Sequence, residues 1–117
     1  MRIDLTGKIA LVTGGARGIG REISVCLVES GARVVINYHK SREPAETLRA
    51  ELAQRGLETD LFQADVSKPE EVDALFAHIR DRHGRLDILV NNAGIIKDTL
   101  LLNMDLSDWD RVHDVNL

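Results

Sequence analysis

The sequence predicts an α/β protein built on a doubly wound parallel sheet, and three observations carry that expectation. Short apolar runs alternate with helical stripes along the chain, and a glycine-rich turn sits where the first run meets the first stripe. Aromatic residues make up only 3% of the sequence while Val, Leu, Ile and Ala are plentiful, which suits helices packed on a parallel sheet better than a sandwich of large rings.

The elements follow in order. Lys8-Ile9-Ala10-Leu11-Val12 is a continuous apolar run of the kind expected in a strand covered on both faces. Beyond the turn Thr13-Gly14-Gly15-Ala16-Arg17-Gly18-Ile19-Gly20 the period changes: Ile19, Ile23, Cys26 and Leu27 form the stripe of a helix running to about Ser30 and stopped at Gly31. Arg33-Val34-Val35-Ile36-Asn37 reads as the second strand, and Ala45, Leu48 and Leu52 stripe a helix ended by Gly56. The third strand is expected over Thr59–Ala64, with Asp65 directly after it. Ser67 and Glu70 have capping-box spacing, with Pro69 tolerated in the first turn of a helix striped by Val72, Leu75, Phe76 and Ile79 and closed at Gly84. Leu86-Asp87-Ile88-Leu89-Val90 is the fourth strand and runs into Asn91-Asn92-Ala93-Gly94. A last helix is expected to begin at Ser107, where Asp110 occupies N3. It would place Trp109, Val112 and Asn116 on one face, with Asn116 pointing inward. The order is βαβαβαβ followed by the start of a helix, a single domain over residues 1–117.

The turn has its own chemistry. A pyrophosphate must approach the backbone more closely than a Cβ permits, and the unpaired N–H groups and positive dipole end of the following helix favour an anion. The spacing Gly14-x-x-x-Gly18-x-Gly20 differs from the general G-x-G-x-x-G fingerprint and is a related variant of it. Taken alone, these could be ordinary turn glycines. The other polar loop residues argue otherwise: Gly14, Asn37, Asp65 and Asn92 each follow or end a strand, so a Rossmann-type sheet gathers them at its carboxyl edge, where ligands collect.

Composition excludes several classes. The formal net charge of −4 argues against nucleic acid. Cys26 is the only cysteine, so no internal disulfide forms; its place on the first stripe reads as a small core residue, and a reducing cytoplasm fits. The N-terminal residues lack the apolar region of a signal peptide, and no run approaches membrane-spanning length, so a soluble protein is expected. The four histidines suggest no metal site: His78 and His83 are five apart, unlike a zinc pair four apart, and His39 and His113 are isolated. All four read as surface or supporting groups.

Together, Thr13-Gly14-x-x-x-Gly18-x-Gly20, Asp65-Val66, Asn91-Asn92-Ala93-Gly94 and Val115-Asn116 resemble the short-chain dehydrogenase/reductase family. Gly94-Ile95-Ile96-Lys97-Asp98-Thr99-Leu100 and the segment Asp105 to Val112 are most similar to the 3-oxoacyl-[acyl-carrier-protein] reductases. The resemblance runs from Lys8 to Leu117 and corresponds to the amino-terminal half of a family member. It implies that Gly14, Gly15, Ala16, Arg17, Gly18, Ile19 and Gly20 hold the pyrophosphate, that Asp65 hydrogen-bonds the adenine amino group, and that Val66 gives backbone contact beside it. By itself Asp65 would read as a turn residue before Ser67; within this constellation the adenine role is preferred. Asn92, Ala93 and Gly94 correspond to the segment under the nicotinamide ribose, whereas Asn91 can serve only to tie strands together.

Cofactor choice turns on the end of the second strand, where an acid would bind the ribose 2′-hydroxyl of NAD. Asn37 stands there instead, and Arg17, His39, Lys40 and Arg42 surround the region with positive charge, so NADP is expected. In the catalytic set only Asn116 matches, resembling the asparagine that positions a water in the proton relay. Its plainer reading is a helix amide satisfied by backbone. The Tyr-x-x-x-Lys motif of the family does not occur: Tyr38 is the one tyrosine, with Arg42 at the lysine spacing, and it sits by the adenosine end. The expectation is therefore an NADP-dependent reductase of a 3-oxoacyl thioester or similar carbonyl, cut to its first half, inactive alone, and homo-oligomeric in its full-length form. The alternative is a non-catalytic nucleotide-binding module that pairs with another chain.

Overall fold

The structure, a computed structural model, describes residues 3–92 together with the backbone of 113–116. Its elements are β1 (Ile9–Thr13), α1 (Gly18–Glu29), β2 (Arg33–Tyr38), α2 (Arg42–Gln54), β3 (Asp60–Gln63), α3 (Pro69–His83), β4 (Ile88–Asn91) and β5 (His113–Asn116). The strands form one parallel sheet in the order β3-β2-β1-β4-β5, so the winding reverses between β1 and β4.

Period-2 alternation along the buried strands explains the two layers of helix. Ala10 and Val12 of β1, Val34 and Ile36 of β2 and Val90 of β4 face α1 and α2, packing with Val28, Ala45, Leu48 and Leu52. The intervening Leu11, Val35 and Leu89 face the other way and pack with Val72, Leu75, Phe76 and Ile79 of α3. The stripes expected for α2 and α3 are therefore the ones buried. Among the described residues no helix is long and apolar enough to cross a membrane.

Four local expectations are corrected. In α1 the fully buried line is Gly20, Ser24 and Val28, at four-residue spacing, with Ile23 and Leu27 half-buried beside it. Cys26 falls off that line and is exposed, and Ile19 is 65% exposed, so neither is a core residue. The capping box is not made: α3 begins at Pro69, and the Ser67 hydroxyl donates to Asp65 Oδ1 at 2.7 Å. A carboxylate is the stronger acceptor, and it draws Ser67 away from the helix. Glu71, not Glu70, reaches back, its Oε1 accepting from the Asp65 N–H at 2.8 Å.

The third correction concerns the last segment. His113–Asn116 is not helical but forms β5, with Asn91 opposite Asn116 in the parallel ladder. Without β5 the outer edge of β4 would present a row of unpaired N–H and C=O groups; a helical turn here would leave that edge bare. Asn116 thus lies at the carboxyl end of β5 rather than on an inward helix face. The expected helix start at Ser107 and Trp109 lies outside the described residues, as do Ala93 and Gly94. The fourth correction concerns the histidines: His78 and His83 are brought together on Asp60.

Asp87, just ahead of β4, locks the sheet's amino-terminal end. Its Oδ2 accepts from the Ile9 N–H at 2.8 Å and from Arg85 Nε at 2.9 Å, while its own N–H donates to Ile9 O. Asp87→Ala should strand the Ile9 N–H and lower stability by about 1–2 kcal/mol in urea unfolding, with Asp87→Asn recovering part of it. An Asp87→Ala midpoint equal to wild type would remove this role.

Candidate dinucleotide site

The loops after β1, β2, β3 and β4 all open on the carboxyl edge, beside the point where the winding reverses. The glycine turn is held there by its neighbours. Gly14 N–H donates to Asn37 Oδ1 at 3.3 Å and Gly15 N–H to Asn37 O at 3.0 Å, which fastens the turn to β2. Asn92 Nδ2 donates to Gly14 O at 3.1 Å, and Asn92 N–H to Thr13 Oγ1 at 3.0 Å, which fastens it to β4.

Each glycine meets a different need. Gly14 (φ +62) and Gly18 (φ +54) take the left-handed backbone conformation that L side chains resist. Among the described residues, a Cβ on Gly18 would meet nothing within 4 Å, so they leave the backbone there bare to an approaching group. A Cβ on Gly20 would lie 2.2 Å from Gly14 O, so this glycine permits the close approach of α1 to the strand turn. Arg17 is the N-cap of α1 and makes no side-chain cap bond, which leaves the first N–H groups of the helix without a side-chain acceptor. The turn therefore offers donors and a positive dipole end to an anion, with Arg17 exposed beside it. The buried Ser24 hydroxyl lies 3.1 Å from Gly15 O and 2.8 Å from Gly20 O, and its single proton joins turn to helix.

The remaining residues assigned from sequence divide into exposed and internal groups. Asn37 is 2% exposed, and besides Gly14 its Nδ2 meets Phe62 O at 3.3 Å and Ala64 O at 3.1 Å. Its amide is spent on the scaffold, and β2 runs one residue further, to Tyr38, with exposed His39 next. Asp65 Oδ1 accepts from the Ser67 N–H and hydroxyl, while Oδ2 is 3.9 Å from His39 Nε2. The Ser67 hydroxyl, then the Ser67 N–H, hold the Asp65 carboxyl below the usual carboxylate range, with weaker help from His39 and Lys68. Its contribution to the folded state is complete above the ordinary carboxyl value and is lost as pH falls through the lowered one. Val66 turns its side chain into the core, and Ala16 is 2% exposed. Asn91 is buried, 3.4 Å from Thr13 Oγ1, in keeping with a strand tie.

Three further residues build this edge: Ser24, the Thr13 hydroxyl, and Tyr38 as the end of β2. Ser24 was legible in one respect, since it stands four residues after Gly20 on the same helix line.

A family model described as short chain dehydrogenase matches residues 8–117. The chain belongs to the short-chain dehydrogenase family. The 3-oxoacyl-[acyl-carrier-protein] reductase of Synechocystis sp. is 47% identical over 113 residues, covering 97% of this chain and 46% of the relative. The reductase FabG of Staphylococcus epidermidis is 46% identical, covering 94% of this chain and 45% of its own length. The chain thus spans less than half the length of these curated relatives. Among solved structures, a short chain dehydrogenase from Burkholderia cenocepacia in complex with NADP is 46% identical with TM-score 0.71, over 78% of this chain and 37% of that one. A metagenomic short-chain oxidoreductase, also in complex with NADP, gives TM-score 0.82 at 28% identity over 96% of this chain and 62% of that one. As a short-chain dehydrogenase chain, the molecule carries the family's parallel sheet, and its glycine turn occupies that sheet's carboxyl edge.

Proposed function

We propose that residues 8–117 hold NADP(H) at the carboxyl edge of the sheet, as the cofactor-binding part of a cytoplasmic reductase of 3-oxoacyl thioesters or similar carbonyls. The observation that carries the reading is the glycine turn: bare backbone at Gly18, an α1 start without a side-chain cap, and Gly20 closing turn to helix. The names of the curated relatives support the substrate class. When bound, NADPH supplies hydride to the carbonyl carbon.

The chain's own residues bind and orient. The Gly14–Gly20 turn receives the pyrophosphate, with Gly15, Ala16 and Ile19 shaping it. Asp65 Oδ2 takes the adenine amino group, while Oδ1 stays on Ser67. The Val66 backbone lies alongside, its side chain being anchored in the core. Asn92, with Ala93 and Gly94, passes under the nicotinamide ribose, and Asn116 at the end of β5 holds a water for the proton relay. Asn37 acts from behind, through Gly14. Tyr38 is 8% exposed in β2 and takes no part in proton transfer.

The preference for NADP rests on charge after β2. Between His39 and Ala45 the exposed His39, Lys40 and Arg42 are accompanied by one acid, Glu43, and Arg17 is likewise exposed at the start of α1, while Asp65 lies 3.9 Å from His39. A 2′-phosphate meets donors there instead of the carboxylate that would hold a 2′-hydroxyl. Titration of the chain with NADPH and NADH at matched salt, read by nicotinamide fluorescence, should show NADPH binding about tenfold tighter or more, a difference of about 1.4 kcal/mol. Equal affinities would overturn the charge argument, and failure of both to bind would overturn the site.

A further inference from the structure

At the opposite, amino-terminal end of the sheet, Asp60 opens β3 and α3 ends at His83. His78 Nε2 lies 2.6 Å and His83 Nε2 2.9 Å from the same oxygen, Asp60 Oδ2. The carboxylate is 13% exposed, His78 23% and His83 3%. The three ligand atoms lie within 4.8 Å of one another. In sequence the two histidines are five apart and share no helix face; the tertiary fold unites them because the last turn of α3 passes over the start of β3. His78 is further braced by Phe62, whose ring centroid is 4.7 Å away.

We propose that Asp60, His78 and His83 form a zinc site that ties the end of α3 to the start of β3. Two imidazole nitrogens and a carboxylate oxygen are donors suited to zinc, and three protein ligands leave a position for water. The neighbouring cavity of about 290 Å³ is lined by Thr59, Asp60 and His83 together with Arg33, Arg49 and Arg82. Thr59 Oγ1 is buried without a hydrogen-bond partner among the described residues, and a zinc-bound water in this cavity would supply one. Arg82 Nε, 3.7 Å from Asp60 Oδ2, opposes a cation, but its side chain is 63% exposed, so solvent screens much of its charge. Because the site lies at the end of the sheet away from the glycine turn, its effect is on stability and not on hydride chemistry.

Calorimetric titration of the metal-free chain with zinc chloride should give one ion per chain and a melting temperature that rises with zinc concentration. Asp60→Asn and His83→Gln should each weaken binding by at least about 100-fold, the upper end of what loss of even an outer partner costs. His83 is buried, so the more exposed His78→Ala, checked for native circular dichroism, carries the same test. Arg82→Gln should instead tighten binding several-fold, because it removes the cation 3.7 Å from Asp60 Oδ2. Absence of stoichiometric binding by the wild-type chain would overturn the proposal, leaving Asp60 as a shared acceptor for two imidazoles. Undiminished binding by folded His78→Ala would overturn it equally.

Discussion

Gly20→Ala should weaken NADPH binding by about 100-fold. Its Cβ would stand 2.2 Å from Gly14 O and 2.6 Å from Asn92 Nδ2, and the first of these atoms is backbone. No rotamer relieves that contact. Either α1 moves away from the strand turn or the turn itself shifts, and both withdraw the N-terminal N–H groups from the position proposed for the phosphates. Overpacking of this kind costs about 1–3 kcal/mol or more in stability. At about 1.4 kcal/mol per tenfold, the same displacement lowers affinity by about 100-fold. Gly18→Ala is the instructive contrast: its Cβ meets nothing within 4 Å among the described residues, so its stability cost is the φ penalty of about 1–2 kcal/mol, while the new methyl occupies the approach to the backbone. Thermal melting and NADPH titration of both variants check this, and wild-type affinity in Gly20→Ala would disprove the assigned role of the turn.

Asn37→Ala should destabilise the fold by about 3 kcal/mol, because it strands the Gly14 N–H and the carbonyls of Phe62 and Ala64 in surroundings where Asn37 itself is 2% exposed. A carboxylate could accept from Gly14 but could not donate to either carbonyl, so Asn37→Asp should recover little. Urea unfolding measures the loss. The variant also separates two roles that the position could play: a strut shows a lowered unfolding midpoint with affinity falling only as the turn loosens, whereas a direct cofactor contact shows intact stability and lost NADPH binding. The second pattern would return Asn37 to the cofactor surface.

The strand and helix order was legible because each element carries its own periodicity. Leu48 and Leu52, or Leu75 and Ile79, mark a buried face without reference to anything distant. The site was legible in part for a related reason: in a parallel sheet every strand delivers its next loop to the same edge, so Gly14, Asp65 and Asn92 could be brought together from strand order alone. What was not legible was anything decided by competition. Ser67 lies at capping distance from Glu70, yet the Asp65 carboxylate captures its hydroxyl. Asn37 stands where a cofactor contact is expected, yet three backbone groups claim its amide first. Asn116 falls on a helical stripe with Trp109 and Val112, yet the open edge of β4 pairs residues 113–116 as a strand.

By itself, then, the sequence determined the alternating architecture, the glycine turn at a strand-to-helix junction and membership of a dinucleotide-binding family, since these rest on local period and on glycines that few other residues can replace. Only the tertiary structure decided which polar side chains face outward and which are consumed within. It also made neighbours of Asp60, His78 and His83, whose distance along the chain conceals a common point in space. The physical reason is the same in both cases. Periodicity is a property of one element, whereas a hydrogen bond or a ligand set belongs to whichever elements the packed sheet brings within reach.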